Sequence, residues 1–209
     1  MTTATLGPLL VDAADPAGVA AFWSAALGAD AQRRLMRFRA ERGSKVVKNR
    51  VHVDVAVRDV GALLALGARE LGDHRPGWVT LADVEGNEFC AFPDGPVPAG
   101  APARLFAVCT DSDRPEELAA WWAARVGARI GPGPDQRPRW LYGSAGWEDV
   151  IWKFVRVGDP RCVPNRWQPT LFAPVDALLA AGAVRSLDGD LTDPQGNEFS
   201  VADPARPAG

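Results

Sequence analysis

Long apolar runs are missing from this chain. No stretch of about 18 apolar residues occurs, so no segment is built to cross a bilayer as a helix. Cysteine is scarce. The three present, Cys90, Cys109 and Cys162, are odd in number and form no CxxC pair, which points to a reducing compartment rather than a disulfide framework. Neither sign of charge dominates, and a net charge of −3 gives no general attraction to nucleic acid or to an anionic membrane. The opening "MTTATLGPLLVDAADP" has no basic start, and its apolar run is too short for a secretory signal. A cytoplasmic protein with neither nucleic acid nor membrane as partner is the expectation. GxGxxG, the P-loop and HExxH are all absent, and no serine stands in a nucleophile elbow.

What is present is one pattern written twice. The chain has 209 residues, 47% of them hydrophobic, enough to bury a core as one large domain or two small ones. "DPAGVAAFWSAALGA" at 15–29 returns as "RPEELAAWWAARVGA" at 114–128. "NR" at 49–50 returns at 165–166, "LLALGA" at 63–68 as "LLAAGA" at 178–183, and "ADVEGNEF" at 82–89 as "TDPQGNEF" at 192–199. Four matches in one order are a duplication. Between the copies lies "PDGPVPAGAPA", rich in Pro and Gly, which reads as a linker. The division predicted is 1–97, a linker at 98–103, and 104–209.

Local patterns fill in each half. Asp15-Pro16 is an N-cap with proline at the first helical position. Val19, Phe22, Trp23 and Leu27 then share one helical face, and Gly28 ends the helix. The polar stretch 30–48 reads as strand. "VHVDVAV" at 51–57 alternates with period two, which sends Val51, Val53, Val55 and Val57 to one face and His52, Asp54 and Ala56 to the other. A helix at 59–67 and a hairpin turning at Asp83–Asn87 complete a β-α-β-β-β run. Each half is predicted to hold two such runs.

A β-α-β-β-β module, a helix opening "DPxxxAxFW" and a last strand introduced by "D-x-x-G-N" resemble the vicinal oxygen chelate superfamily. That group includes glyoxalase I, bleomycin-resistance proteins and extradiol dioxygenases. "KNRVHVDV" and "DVEGNEFC" are similar to its glyoxalase-like domains. The resemblance implies an α+β fold of two tandem glyoxalase/bleomycin-resistance-like domains, each of paired β-α-β-β-β modules forming a curved sheet cup with ligand inside. Laid on this chain, the superfamily's metal positions fall on Pro8, His52 and Cys90, then on Ala107, Gln168 and Ser200. Proline, alanine and serine do not hold a divalent ion as histidine or carboxylate does, so neither metal nor cofactor is expected. Glu88 and Cys90 are read as facing the cup, as are Glu198 and Ser200. Arg50 with Glu88, and Arg166 with Glu198, are read as repeated ion pairs.

The copies differ most in their middles. The second carries "RWLYGSAGWEDVIWKF", read as a hairpin around "GSAG", and six of the eight tryptophans lie in the second half. Trp140, Trp147 and Trp152 are candidates to line an aromatic pocket, the alternative being core packing. The matching part of the first half is basic, from Arg33 to Arg50 with Glu41 as its sole acid, and reads as a solvated strand edge or an anion contact. The candidate ligand-binding residues are therefore His52, Asp54, Cys90, Trp140, Trp147, Trp152, Gln168 and Ser200. The expected function is metal-independent binding of a small molecule, by likeness to the bleomycin-resistance branch an aromatic or amphipathic compound held by a monomer or homodimer. The alternative is a lyase, isomerase or dioxygenase-like enzyme using His52 with or without a divalent ion. A third reading is a scaffold whose pockets have closed.

Overall fold

The computed structural model describes residues 4–41, 45–93, 95–186 and 190–202. Asp15 accepts a hydrogen bond from the Gly18 N–H and caps the first helix, which buries Val19, Phe22, Trp23, Ala26 and Leu27. The first module consists of β1 (Thr5–Leu6), β2 (Leu9–Ala13), α1 (Pro16–Leu27), α2 (Ala29–Leu35) and β3 (Met36–Ala40). Here the structure corrects the sequence reading. Residues 29–35 form a helix, not a strand, and tuck Gln32 and Leu35 inward. The first module is thus β-β-α-α-β.

The second module is complete: β4 (Val51–Val57), α3 (Val60–Ala65), β5 (Arg69–His74), β6 (Trp78–Ala82) and β7 (Glu88–Pro93). So is the third: β8 (Ala103–Ser112), α4 (Pro115–Val126), β9 (Arg129–Pro132), β10 (Pro138–Tyr142) and β11 (Ile151–Arg156). The fourth has short strands: β12 (Trp167–Gln168), β13 (Thr170–Phe172), α5 (Val175–Ala180), β14 (Val184–Arg185), β15 (Leu191–Thr192) and β16 (Glu198–Ala202). Among the described residues no helix is long and apolar enough to cross a membrane.

Sheet pairing runs across the halves. The second and third modules share one eight-stranded sheet, in the order β5-β6-β7-β4-β8-β11-β10-β9. Its centre is the antiparallel pair β4–β8, so the sheet crosses the 98–103 segment. The first module pairs with the fourth: β2 lies against β12, and β1 against β13. The repeat unit and the sheet unit are therefore offset by one module. Each fold unit takes a module from either copy.

Two buried carboxylates explain why the FW/WW helix and the D-x-x-G-N turn recur together. Asp83 accepts from the Glu85 and Asn87 backbone N–H groups, from the Asn87 amide and, at 3.2 Å, from the Trp23 indole of the first module. Asp193 does the same in the second copy with Gln195, Asn197 and Trp122. Gly86 and Gly196 make the turns possible, at φ of 83° and 79°. Each carboxylate thus ties the helix of one module to the last hairpin of the next. Trp147 is a third tie. Its indole donates to the Gly7 carbonyl at 2.9 Å and pins the N-terminal strand to the third module.

Candidate functional site

The valines of β4 face the helices and are buried, as their spacing requires. His52 and Asp54 therefore stand on the concave face of the eight-stranded sheet. In the β4–β8 register His52 lies opposite Cys109 and Asp54 opposite Ala107. The register slips between Asp54 and Val55, whose partner is Leu105, and Phe106 falls in the slip. Across β11, Lys153 lies beside Cys109, and Trp140 of β10 lies opposite Lys153.

These strands bring one cation to the middle of the wall. The Lys153 ammonium donates to Asp54 Oδ2 at 2.8 Å, and both side chains are nearly sealed, at 11% and 5% exposure. It also sits over three ring faces: Phe106 and Trp140 at 4.8 Å and Phe92 at 5.5 Å from the centroids. The Cys109 thiol donates to the same Asp54 oxygen, and His52 Nε2 is 3.8 Å from the other. The aromatic wall continues outward. Phe106 meets Phe92 edge-on, Phe92 stacks with Trp78, and Trp78 stands 4.9 Å from His74.

Burial sets the protonation of the neighbours. It holds the His52 imidazole below its ordinary value against the pull of Asp54, so the ring is neutral at pH 7. It pushes the Cys90 thiol up to about 11, with Asp54 adding to the effect. Cys109 is pushed well above the usual thiol range for the same reasons. A thiol raised that far is a thiolate in about one molecule in a thousand at pH 8, which disfavours Cys90 as a nucleophile. Iodoacetamide at that pH is expected to alkylate the exposed Cys162 in the native protein and to reach Cys90 and Cys109 only in denaturant. Rapid native labelling of Cys90, read by peptide mass spectrometry, would contradict this.

His52, Asp54 and Cys109 place potential ligand atoms within 4.8 Å of one another. The set does not fit a divalent ion. Its carboxylate already holds an ammonium at 2.8 Å, and its thiol donates to the same oxygen. A divalent cation brought to this spot would meet Lys153 at close range.

The remaining sequence candidates scatter. Trp147 and Trp152 are 2% and 0% exposed, packed with Trp122 and Phe154 beneath α4, so they present no ring to a ligand. Trp152 pairs with Leu141, on the opposite face from Trp140 and Lys153. Gln168 and Ser200 lie in the other fold unit, 3.4 Å apart. Cys90 is on the concave face, next to Asp54 in register. Lys153, Phe92 and Phe106 were not anticipated. A single lysine inside "VIWKFV" was the available signal, since a charge alternating with buried Trp152 and Phe154 must face the other way.

The ion pairs also change partners. Arg50 reaches Glu198 at 3.4 Å, and Arg166 reaches Glu85 at 2.9 Å. Glu88 takes Lys45 instead. The pairs expected within each half join the two halves, because the modules exchange partners. Four cations of the basic stretch are paired as well: Arg33 with Asp30 and Arg39 with Asp12 inside the first half, Arg34 with Asp149 and Lys48 with Asp111 across the halves. Arg42 lies outside the described residues.

Two segments, residues 8–92 and 107–202, match the glyoxalase-like domain family. The chain belongs to the glyoxalase-like family. This places it in the vicinal oxygen chelate superfamily with an α+β fold of two glyoxalase-like segments. Glyoxalase I from Zea mays is similar over 96% of this chain and 92% of that one, with a TM-score of 0.64 at 13% identity. A candidate dioxygenase from Bacillus subtilis subsp. subtilis str. 168 is similar over 96% and 85%, with a TM-score of 0.59 at 13% identity. At such identity the likeness of the glyoxalase-like chain to these structures is one of fold. No curated protein matches the chain.

Proposed function

We propose that this glyoxalase-like chain binds a small planar compound on the concave face of its eight-stranded sheet and does so without a divalent ion. One observation carries the reading: Lys153 places a fixed ammonium, held by Asp54 and flanked by three aromatic rings, at the middle of the wall. The ammonium carries three N–H donors. One is taken by Asp54, and the others suit a carbonyl or carboxylate oxygen of a ligand. Trp78, Phe92, Phe106 and Trp140, all partly exposed, offer rigid ring faces to its planar body.

An aromatic carboxylate tests this. 2-Naphthoate is expected to bind in calorimetric titration, and Trp140→Ala to weaken it about tenfold, the loss of one stacking contact. Equal affinity in Trp140→Ala would remove the wall from the account. An enzymatic reading has one observation in its favour, the neutral His52 beside Asp54, which has the protonation state of a general base.

A further inference from the structure

The aromatic wall carries a second cation. Arg104 stands opposite Ala56 in the β4–β8 register, on the concave side with His52 and Asp54. Its guanidinium carbon lies 6.0 Å from the centroid of Phe106, the ring whose centroid is 4.8 Å from the Lys153 ammonium. Two cations thus share one aromatic side chain, and their separation cannot exceed those two distances laid end to end. We propose that Arg104 sets the specificity of this wall, and that the compound bound there is a planar aromatic dianion with a carboxylate at either end. One carboxylate meets Lys153 and the other meets Arg104. The proposal rests on the binding reading of the wall given above.

The fold holds Arg104 in place without spending its charge. Its Nε–H donates to the Pro96 carbonyl at 2.7 Å. That carbonyl is itself fixed, because the connecting segment 95–98 settles over the end of β4. A Cβ at Gly95 would collide with the Ala56 side chain, so glycine is what lets the backbone come this close. Arg58 then donates to the Val97 carbonyl and, at 3.0 Å, to that of Pro98. One edge of the Arg104 guanidinium is thereby oriented. Its two terminal nitrogens have no partner among the described residues, and neither is sealed from solvent.

No acid neutralises this guanidinium among the described residues. Asp149 feels its charge, but Arg34 grips that carboxylate with two hydrogen bonds, at 2.8 and 3.0 Å, and is the larger cause of its lowered pKa. The free pair of terminal nitrogens is a fork that matches the two oxygens of a carboxylate. Between it and the ammonium stands Phe106, with Phe92 edge-on beside it, so the space joining the two charges is aromatic. A flat body with two negative ends is the complement. Arg129, on the edge strand β9, stands over Tyr142 instead, 4.8 Å from that ring, and serves as the control.

The test is calorimetric titration of the full-length protein with two matched pairs, benzoate against terephthalate and 2-naphthoate against 2,6-naphthalenedicarboxylate. The two bodies differ in length and sample the span between the cations. In at least one pair the dianion is expected to bind at least about tenfold more tightly than its monoanion. Arg104→Gln, which keeps a donor for the Pro96 carbonyl, should equalise the two members of that pair. Arg104→Lys, which keeps the charge but not the fork, should cut the advantage about threefold and carries the test if Arg104→Gln does not fold. Arg129→Gln should leave the advantage intact. Monoanions that bind as tightly as their dianions would overturn this proposal and leave the wall a site for monoanions. An advantage that survives both Arg104 substitutions, or that falls with Arg129→Gln, would also overturn it. If none of the four compounds binds at about 10 mM, the wall is not the site and the proposal fails with it.

Discussion

Replacing Lys153 by methionine is expected to lower the stability of the fold by about 3–5 kcal/mol, because it strands the Asp54 charge in a wall where almost no water reaches it. Asp54 is 3% exposed, and its other contacts are a thiol and a neutral imidazole, neither of which balances a charge. The ring contacts alone would not account for such a loss, since a methionine of similar length keeps much of that packing. A second substitution separates the two causes. Adding Asp54→Asn removes the stranded charge and is expected to restore at least half of the lost stability, because a buried pair can often be exchanged for neutral groups at little net cost. Urea unfolding gives both values, provided the denaturant slopes agree. A Lys153→Met loss below about 1 kcal/mol would mean that Asp54 is protonated or hydrated in the folded protein.

Asp83→Ala is the second large expectation, at about 3–5 kcal/mol. Removing this carboxylate leaves two backbone N–H groups, the Asn87 amide and the Trp23 indole without their acceptor at a site of 3% exposure. It also unfastens α1 from the β6–β7 hairpin, and so one module from the next. Asp193→Ala repeats the experiment in the other copy and should cost a similar amount, since its partners are equivalent. Trp23→Phe, which deletes only the indole donor, should cost about 1 kcal/mol. If Asp83→Ala is no worse than Trp23→Phe, the turn holds itself without the carboxylate.

Much of this was legible in the residues, and what was not has a physical cause. The four ordered repeats announced the family and its modules. Period-two alternation placed Val51 to Val57 and Phe89 in the core and His52 and Asp54 on the concave face. The same rule, pressed further, sorts Trp140 and Lys153 from Trp152 by face, once β10 and β11 are put in register. Helix α2 was hidden because its polar sequence "ADAQRRL" buries only two side chains and shows no apolar periodicity. The partner of each module was hidden for a deeper reason. Arg50 pairs with Glu198 and Arg166 with Glu85, but within one copy the same residue types stand equally ready to pair. Nothing local distinguishes a sheet closed within a half from one closed between halves.

The account turns on a lysine that occupies Asp54 beside His52 and Cys109. Elemental analysis of protein purified without chelator, beside Lys153→Ala, tests it most directly. The wild type is expected to carry less than about one-tenth of an equivalent of any divalent metal after dialysis, while Lys153→Ala, which frees Asp54, His52 and Cys109, gains affinity for zinc. A stoichiometric metal in the wild type that disappears in His52→Ala would contradict the account and favour the enzymatic reading of the same wall.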